Sequence, residues 1–191
     1  ATLPLLQASD FPPIRRGRLE TLQVNLGYKC NQSCLHCHVN AGPSRKEMMD
    51  DATLAAVVSF LKASGVSSLD ITGGAPELHP RFRDLVAAAR ELGVHVMDRC
   101  NLTILHEPDQ TGLAQFLAEH QVEIVASLPC YLEDNVEQQR GKGVYRASME
   151  ALRQFNALGY GQPDSDLILN LVYNPIGPYL PPDQATLEQD Y

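Results

Sequence analysis

Leu22-Gln23-Val24-Asn25-Leu26-Gly27-Tyr28-Lys29-Cys30-Asn31-Gln32-Ser33-Cys34-Leu35-His36-Cys37 joins an alternating strand to three thiols spaced x3 and then x2. Leu22, Val24 and Leu26 fall on one face of that strand, with Thr21, Gln23 and Asn25 on the other. Three cysteines this close cannot all pair off as disulfides, so the natural use of the set is a metal. A tetrahedral zinc wants a fourth ligand, which His36 or His38 supplies if the stretch is a zinc knuckle. A four-iron cluster that only carries electrons takes four cysteines. Three thiolates on such a cube leave one iron open, and an open position is where a substrate or cofactor binds and reacts. The set therefore points to chemistry at the metal more than to structural support.

Outward from the thiols, strand, loop and amphipathic helix repeat. The cysteine segment runs to about Asp50, where Asp50 or Asp51 caps a helix with Leu54, Val57, Val58 and Leu61 at i, i+3, i+4 and i+7, stopped by Gly65. Residues 67–72 read as the second strand and Gly73-Gly74-Ala75-Pro76 as a turn. The helix after it has Pro80 in its first turn and buries Phe82, Leu85, Val86 and Ala89. A third strand, 94–97, leads into Asp98-Arg99-Cys100-Asn101, and a helix from near Asp109 presents Leu113, Phe116 and Leu117. The fourth strand, 122–128, delivers Ser127 and Cys130. A polar stretch, 133–143, then precedes a helix built on Met149, Leu152 and Phe155. The fifth strand, 167–173, ends at Asn174-Pro175, and Pro181-Pro182-Asp183 open a last helix that Tyr191 cuts off.

This alternation predicts an α/β fold with a parallel sheet and right-handed crossovers, either doubly wound or curled as a barrel. Gln23 and Asn25 suit a barrel lumen that holds a cofactor, and the unusual residues follow strands, on the rim where such folds place their sites. Residues 1–18 read as an irregular Pro-rich arm ending in solvated Arg15-Arg16-Gly17-Arg18, and 19–191 as one core domain. His79, His95, His106 and His120 show no partner in the sequence and read as structural.

Composition excludes several classes. The 191 residues are 44% hydrophobic and 20% charged, which is ordinary for a folded globular chain. Fifteen basic against 23 acidic residues, with no Trp, leave no basic, stacking surface for nucleic acid. No stretch reads as a signal peptide or a bilayer span, so no membrane role is expected. Five cysteines, an odd number with three clustered, fit reduced thiols and a cytoplasmic location.

The C-x3-C-x2-C spacing with His36 before the last cysteine resembles the signature of the radical S-adenosylmethionine (radical SAM) superfamily. Cys37-His38-Val39-Asn40-Ala41-Gly42-Pro43, Thr72-Gly73-Gly74-Ala75-Pro76-Glu77, Arg99-Cys100-Asn101-Leu102-Thr103, Ser127-Leu128-Pro129-Cys130-Tyr131 and Asn170-Leu171-Val172-Tyr173-Asn174-Pro175 look like its arsenosugar-biosynthesis branch. The likeness covers the chain from about residue 19 onward. It implies a partial (β/α)6 barrel whose last strand is missing from this chain, as is the family's Cys-rich C-terminal segment. It also implies a [4Fe-4S] cluster on Cys30, Cys34 and Cys37, with S-adenosylmethionine on the fourth iron and His36 against the adenine.

Further roles follow from the same resemblance. Gly73-Gly74-Ala75-Pro76 stands where the superfamily has Gly-Gly-Glu-Pro, with Ala75 in place of the Glu and Glu77 as its possible substitute. Arg99, Asn101, Ser127 and Arg140 are expected to hold ribose and carboxylate, and Asn170 to face the adenine. The expected reaction makes a 5'-deoxyadenosyl radical and joins it to a methylated arsenical, with an electron from a flavodoxin or ferredoxin. Cys100 and Cys130 are read as a thiophilic substrate's ligands on the rim, against core packing. Two rival readings stand beside this one: another radical SAM reaction, such as peptide modification, and a non-enzymatic Fe-S or zinc module.

Overall fold

The computed structural model describes every residue except Ala1, Pro13, Ile14 and Arg16. Five strands lie parallel in the order of the chain: β1 (Thr21–Asn25), β2 (Ser68–Thr72), β3 (His95–Asp98), β4 (Glu123–Ala126) and β5 (Leu169–Leu171). A doubly wound sheet reverses its order at a switch point. Consecutive order has no such reversal, so the barrel alternative holds and the sheet is the wall of a partial barrel.

The helices are α1 (Leu3–Gln7), α2 (Asp51–Ser64), α3 (Phe82–Glu91), α4 (Leu113–Glu119), α5 (Glu133–Arg140), α6 (Val144–Ala157) and α7 (Gln184–Asp190). Asp50 caps α2 by accepting a hydrogen bond from Thr53 N at 2.7 Å, and Gly65 ends it in the left-handed region at φ 66°. One face of the sheet carries Leu69, Ile71, Val96, Ile124 and Ala126, all wholly buried. Phe82, Leu85 and Val86 of α3, Leu113 and Leu117 of α4, and Ala151 and Phe155 of α6 belong to the same core. Tyr160 seals one end, with its ring edge-on to Phe155 at 5.0 Å and its hydroxyl donating to Val122 O at 2.8 Å.

The opposite face is polar, as the first strand led us to expect. Asp70 accepts from Gln23 Nε2 at 2.7 Å and takes a two-pronged contact from Arg99 at 2.8 Å for each prong. Further along, Glu123 bridges His95 at 2.6 Å and Asn170 at 2.8 Å.

Several local expectations change. The 1–18 arm is not wholly irregular: Pro4 sits in the first turn of α1, although every described residue there is exposed. Of the arginines assigned to solvent, Arg15 and Arg18 are exposed and Arg16 lies outside the described residues. Pro80 precedes the Arg81 cap of α3 and is not within the helix. The helix expected from Asp109 starts at Leu113, because Pro108 opens a 3-10 turn and Gly112 takes a left-handed φ of 74°. The polar stretch 133–143 is largely helical, as α5, and buries Val136, Gln139 and Arg140. The other histidines have partners: His79 contacts Met49 O and Arg81 N, His106 contacts Ala147 O, and His120 contacts Phe116 O.

Candidate active site

The cysteine loop is built by close backbone contact with the turn after β2. Gly74 N donates to Gly27 O and Ala75 N to Lys29 O, each at 2.9 Å. A side chain at Gly74 would collide with the Lys29 carbonyl oxygen and come within 2.8 Å of its carbon. Glycine is needed there for approach, and at Gly73 also for its φ of 150°.

Around this clamp the three loop thiols line a cavity of about 250 Å³ at the C-terminal ends of the strands. His36, Gly73, Gly74, Arg99, Asn101, Ser127 and Arg140 line it too. Most of the residues singled out from the sequence are thus brought together.

Cys30 Sγ accepts from Gln32 N at 3.4 Å and from Asn101 Nδ2 at 3.6 Å, and Cys37 Sγ accepts from Ala41 N at 3.3 Å. Burial pushes the Cys30 thiol up despite the Gln32 amide, so a bound metal has to displace its proton. Burial, and then the Arg140 guanidinium, hold the His36 ring below the usual histidine value. A neutral ring suits stacking against an uncharged heterocycle.

Arg140 is buried, donating to Ser127 O and, at 2.8 Å, to Gln32 Oε1. Its Nε is buried without a partner among the described residues, and the side chain brings a buried positive charge to the lining of the cavity. Arg99 differs: its fork is already occupied by Asp70. Asn101 is likewise committed, to Cys30, to Asn31 Oδ1 at 2.8 Å, and to Thr103 and Ile104 as donors to its own oxygen.

Five expected residues lie elsewhere. Ala75 and Pro76 are buried behind the clamp and do not line the cavity. Asn170 bonds Glu123 and borders a separate hollow between β5 and α7. Cys100 is wholly buried with Glu77 and Asp98 on the helix side of the sheet, so Glu77 does not reach the cavity in place of the missing Glu. Cys130 is 3% exposed, and its sulfur accepts from Leu132 N and Asn135 Nδ2. Sequence reasoning passed over Gln32, read as a spacer within the motif. Its amide joins Thr103 Oγ1 at 2.9 Å to Arg140 and ties the thiol loop to the rim.

A single zinc holds its sulfurs about 3.8 Å apart, from tetrahedral geometry with bonds of about 2.3 Å. Among the described residues, the one trio of His, Cys, Asp or Glu ligand atoms all within 4.8 Å is Glu77, Asp98 and Cys100. The loop thiols are spread wider, as suits a cluster more than one zinc ion.

Fold and site together define a class: a parallel partial barrel with a three-thiol loop at the C-terminal rim of its strands. The Radical SAM superfamily model matches residues 24–173, and the chain belongs to that superfamily. Its cofactors are accordingly a [4Fe-4S] cluster and S-adenosylmethionine, and the thiols, the Arg140 guanidinium and the glycine clamp fit them.

A "Probable GTP 3',8-cyclase" of Saccharolobus islandicus is 30% identical over 80 residues, covering 41% of this chain and 26% of that protein. The sporulation killing factor maturation protein SkfB of Bacillus subtilis is 27% identical over 134 residues, covering 70% of this chain and 32% of that one. The chain thus spans about a quarter to a third of the length of these curated relatives. Among solved structures, anSMEcpe with bound AdoMet and Cp18Cys peptide superposes with a TM-score of 0.64 at 17% identity, covering 81% of this chain and 43% of that one. That likeness is one of fold. No helix among the described residues is long and apolar enough to cross a membrane.

Proposed function

We propose that Cys30, Cys34 and Cys37 hold the [4Fe-4S] cluster of a radical SAM enzyme that transfers a 5'-deoxyadenosyl group to a methylated arsenical. The observation that carries the radical SAM part is the convergence of the three thiols, the Gly73-Gly74 clamp and the Arg140 guanidinium on one cavity. When bound, the cluster and S-adenosylmethionine would supply a 5'-deoxyadenosyl radical by one-electron cleavage of the C5'–S bond, with methionine leaving; bonding to trivalent arsenic would take it to the pentavalent level and give the one electron back, S-adenosylmethionine being the net oxidant.

The chain's own residues bind and orient. The Arg140 guanidinium brings its charge to the methionyl carboxylate, and His36 presents a neutral ring to the adenine. Gly73 and Gly74 expose backbone to the amino group, and Ser127 lies within the same wall. Asn101 donates to the Cys30 sulfur, a contact that tunes a cluster's potential. The electron comes from a reduced protein donor of the flavodoxin or ferredoxin kind.

The arsenical rests on the sequence phrases from Leu22 to Pro175, since neither Cys100 nor Cys130 lines the cavity. A second reading, modification of a peptide, is favoured by the 70% of this chain that aligns with SkfB, named for maturation of a killing factor.

One experiment separates these readings: mass spectrometry of an anaerobic, reduced reaction of cluster-loaded protein, S-adenosylmethionine and a trivalent methylated arsenical. An arsenic-bearing adenosine nucleoside is the expected product. Plain 5'-deoxyadenosine alone sinks the arsenic reading and keeps the radical SAM one. Absence of both, with the cluster intact, sinks the proposal.

A further inference from the structure

Alternation along the chain splits the end of β3 between two places. Arg99 and Asn101 line the thiol cavity, whereas Asp98 lies in register with Ile71 of the core and Cys100 is a core residue. On that opposite side they meet Glu77, from the 3-10 turn Pro76–Leu78 that follows the glycine clamp. One ligand atom from each of Glu77, Asp98 and Cys100 lies within 4.8 Å of the other two. The residues are 4%, 0% and 0% exposed.

Among the described residues, the carboxylates of Glu77 and Asp98 have no hydrogen-bond partner beyond one another and the Cys100 thiol. An unpaired buried polar group destabilises a fold, and a buried charge without a counter-ion does so far more. Two buried carboxylates that meet only each other and a thiol therefore mark either a set of trapped protons or a missing cation. Leu102 N donates to the Cys100 sulfur at 3.3 Å, the kind of outer contact that orients a ligating thiolate.

We propose that Glu77, Asp98 and Cys100 form a second, buried metal site for a divalent, borderline-soft cation of the zinc class. The thiolate disfavours magnesium and calcium, while two carboxylates and one sulfur are ordinary ligands for zinc. With its three protons displaced, the trio would leave a bound dication at a net −1 and give both carboxylates a partner outside the trio. The site joins the turn leaving β2 to the end of β3, directly behind Gly73-Gly74 and Arg99-Cys100-Asn101. Its role is to brace the wall of the cofactor cavity from the far side. In the metal-free chain, burial raises all three groups above their ordinary values, so metal uptake releases protons.

The test counts metal and does not depend on turnover. The chain with Cys30→Ser, Cys34→Ser and Cys37→Ser together lacks the loop thiols. After zinc loading and exhaustive dialysis it is expected to keep one zinc per chain, and adding Asp98→Asn loses it. Cobalt in the same protein should show a thiolate-to-metal charge-transfer band that Cys100→Ser removes. A triple variant that is folded by circular dichroism, yet dialyses free of zinc and shows no cobalt band, overturns the site and leaves an acid pair sharing protons. Should the triple variant not fold, the unsubstituted chain and Asp98→Asn are compared directly: one zinc fewer in the variant supports the site, and equal content overturns it.

Discussion

Replacing Gly74 with Ala tests whether the turn after β2 shapes the cysteine loop. The added methyl would collide with the Lys29 carbonyl oxygen, 2.8 Å from its carbon and 3.0 Å from the Tyr28 carbonyl carbon. All three are backbone atoms, so no side chain can swing aside, and the loop has to lift off the turn. Lifting it stretches the hydrogen bonds from Gly74 N to Gly27 O and from Ala75 N to Lys29 O. Two hydrogen bonds at about 0.5–1.5 kcal/mol each, with about 1–3 kcal/mol for overpacking, give a loss of about 2–6 kcal/mol. Against a typical total of about 5–15 kcal/mol, that is a large fraction of the fold's stability. The control is Gly65→Ala: its φ is 66° but nothing lies within 4 Å, so only about 1–2 kcal/mol of left-handed strain applies. Urea unfolding of the metal-free proteins reads the stability, and iron per chain after anaerobic reconstitution reads the loop. We expect Gly74→Ala to unfold at markedly lower urea than Gly65→Ala and to load little iron. Equal midpoints with full loading in Gly74→Ala would refute the clamp.

Cys30→Ala, Cys34→Ala or Cys37→Ala should each reduce bound iron to background while circular dichroism stays unchanged; iron surviving all three removes the cluster assignment. Cys130→Ser keeps an acceptor for Leu132 N and Asn135 Nδ2, so iron loading is expected to persist with a stability change of about 1 kcal/mol or less, by chemical unfolding. Arg140→Met removes a charged donor from Gln32 and Ser127 and should weaken S-adenosylmethionine binding by about tenfold or more, by calorimetry on reconstituted protein; unchanged affinity counts against its carboxylate role. For pH, burial raises Glu77, so the folded, metal-free chain holds a proton that the unfolded chain releases above about pH 4.3. Its stability should therefore fall as pH rises from there towards the raised value, with Asp98, Cys100 and Cys30 as the facing titratable groups, and Glu77→Gln should flatten that slope in urea titrations.

Much of the fold was legible because strand alternation and helical stripes are local signals. Leu54, Val57, Val58 and Leu61 fall where a period of 3.6 puts them, and Asp50 caps their helix. The thiol set was legible because spacing alone excludes most other uses. α5 was not, since Val136 is the one apolar residue of Glu133–Arg140 and no stripe exists to be seen. What holds that helix is tertiary: Gln139 bonds Asn174, Arg140 reaches Gln32 and Ser127, and Glu137 accepts from Gly143 N. No local pattern encodes partners more than 30 residues away, such as Asn174 and Gln32.

The placing of Cys100 is a different kind of miss, because the information was present. Consecutive residues at the end of a strand point to opposite faces. If Arg99 and Asn101 face the cavity, Asp98 and Cys100 face away from it, and one rim cannot hold all four. Treating Asp98-Arg99-Cys100-Asn101 as a single cluster put a thiol on the substrate side that the geometry sends into the core. Read by parity, the same four residues serve two sites at once: a cofactor wall on one face, and on the other a buried trio with Glu77 whose carboxylates need a counter-ion or protons. Because one short segment carries both, a change at Asp98 should be felt in the position of Arg99 and Asn101. The bond from Asn101 Nδ2 to the Cys30 sulfur makes the link to the cluster direct. The cluster's midpoint potential in Asp98→Asn, measured by protein-film voltammetry, should therefore shift although Asp98 touches no thiol of the loop; an unshifted potential would mean the two faces are independent.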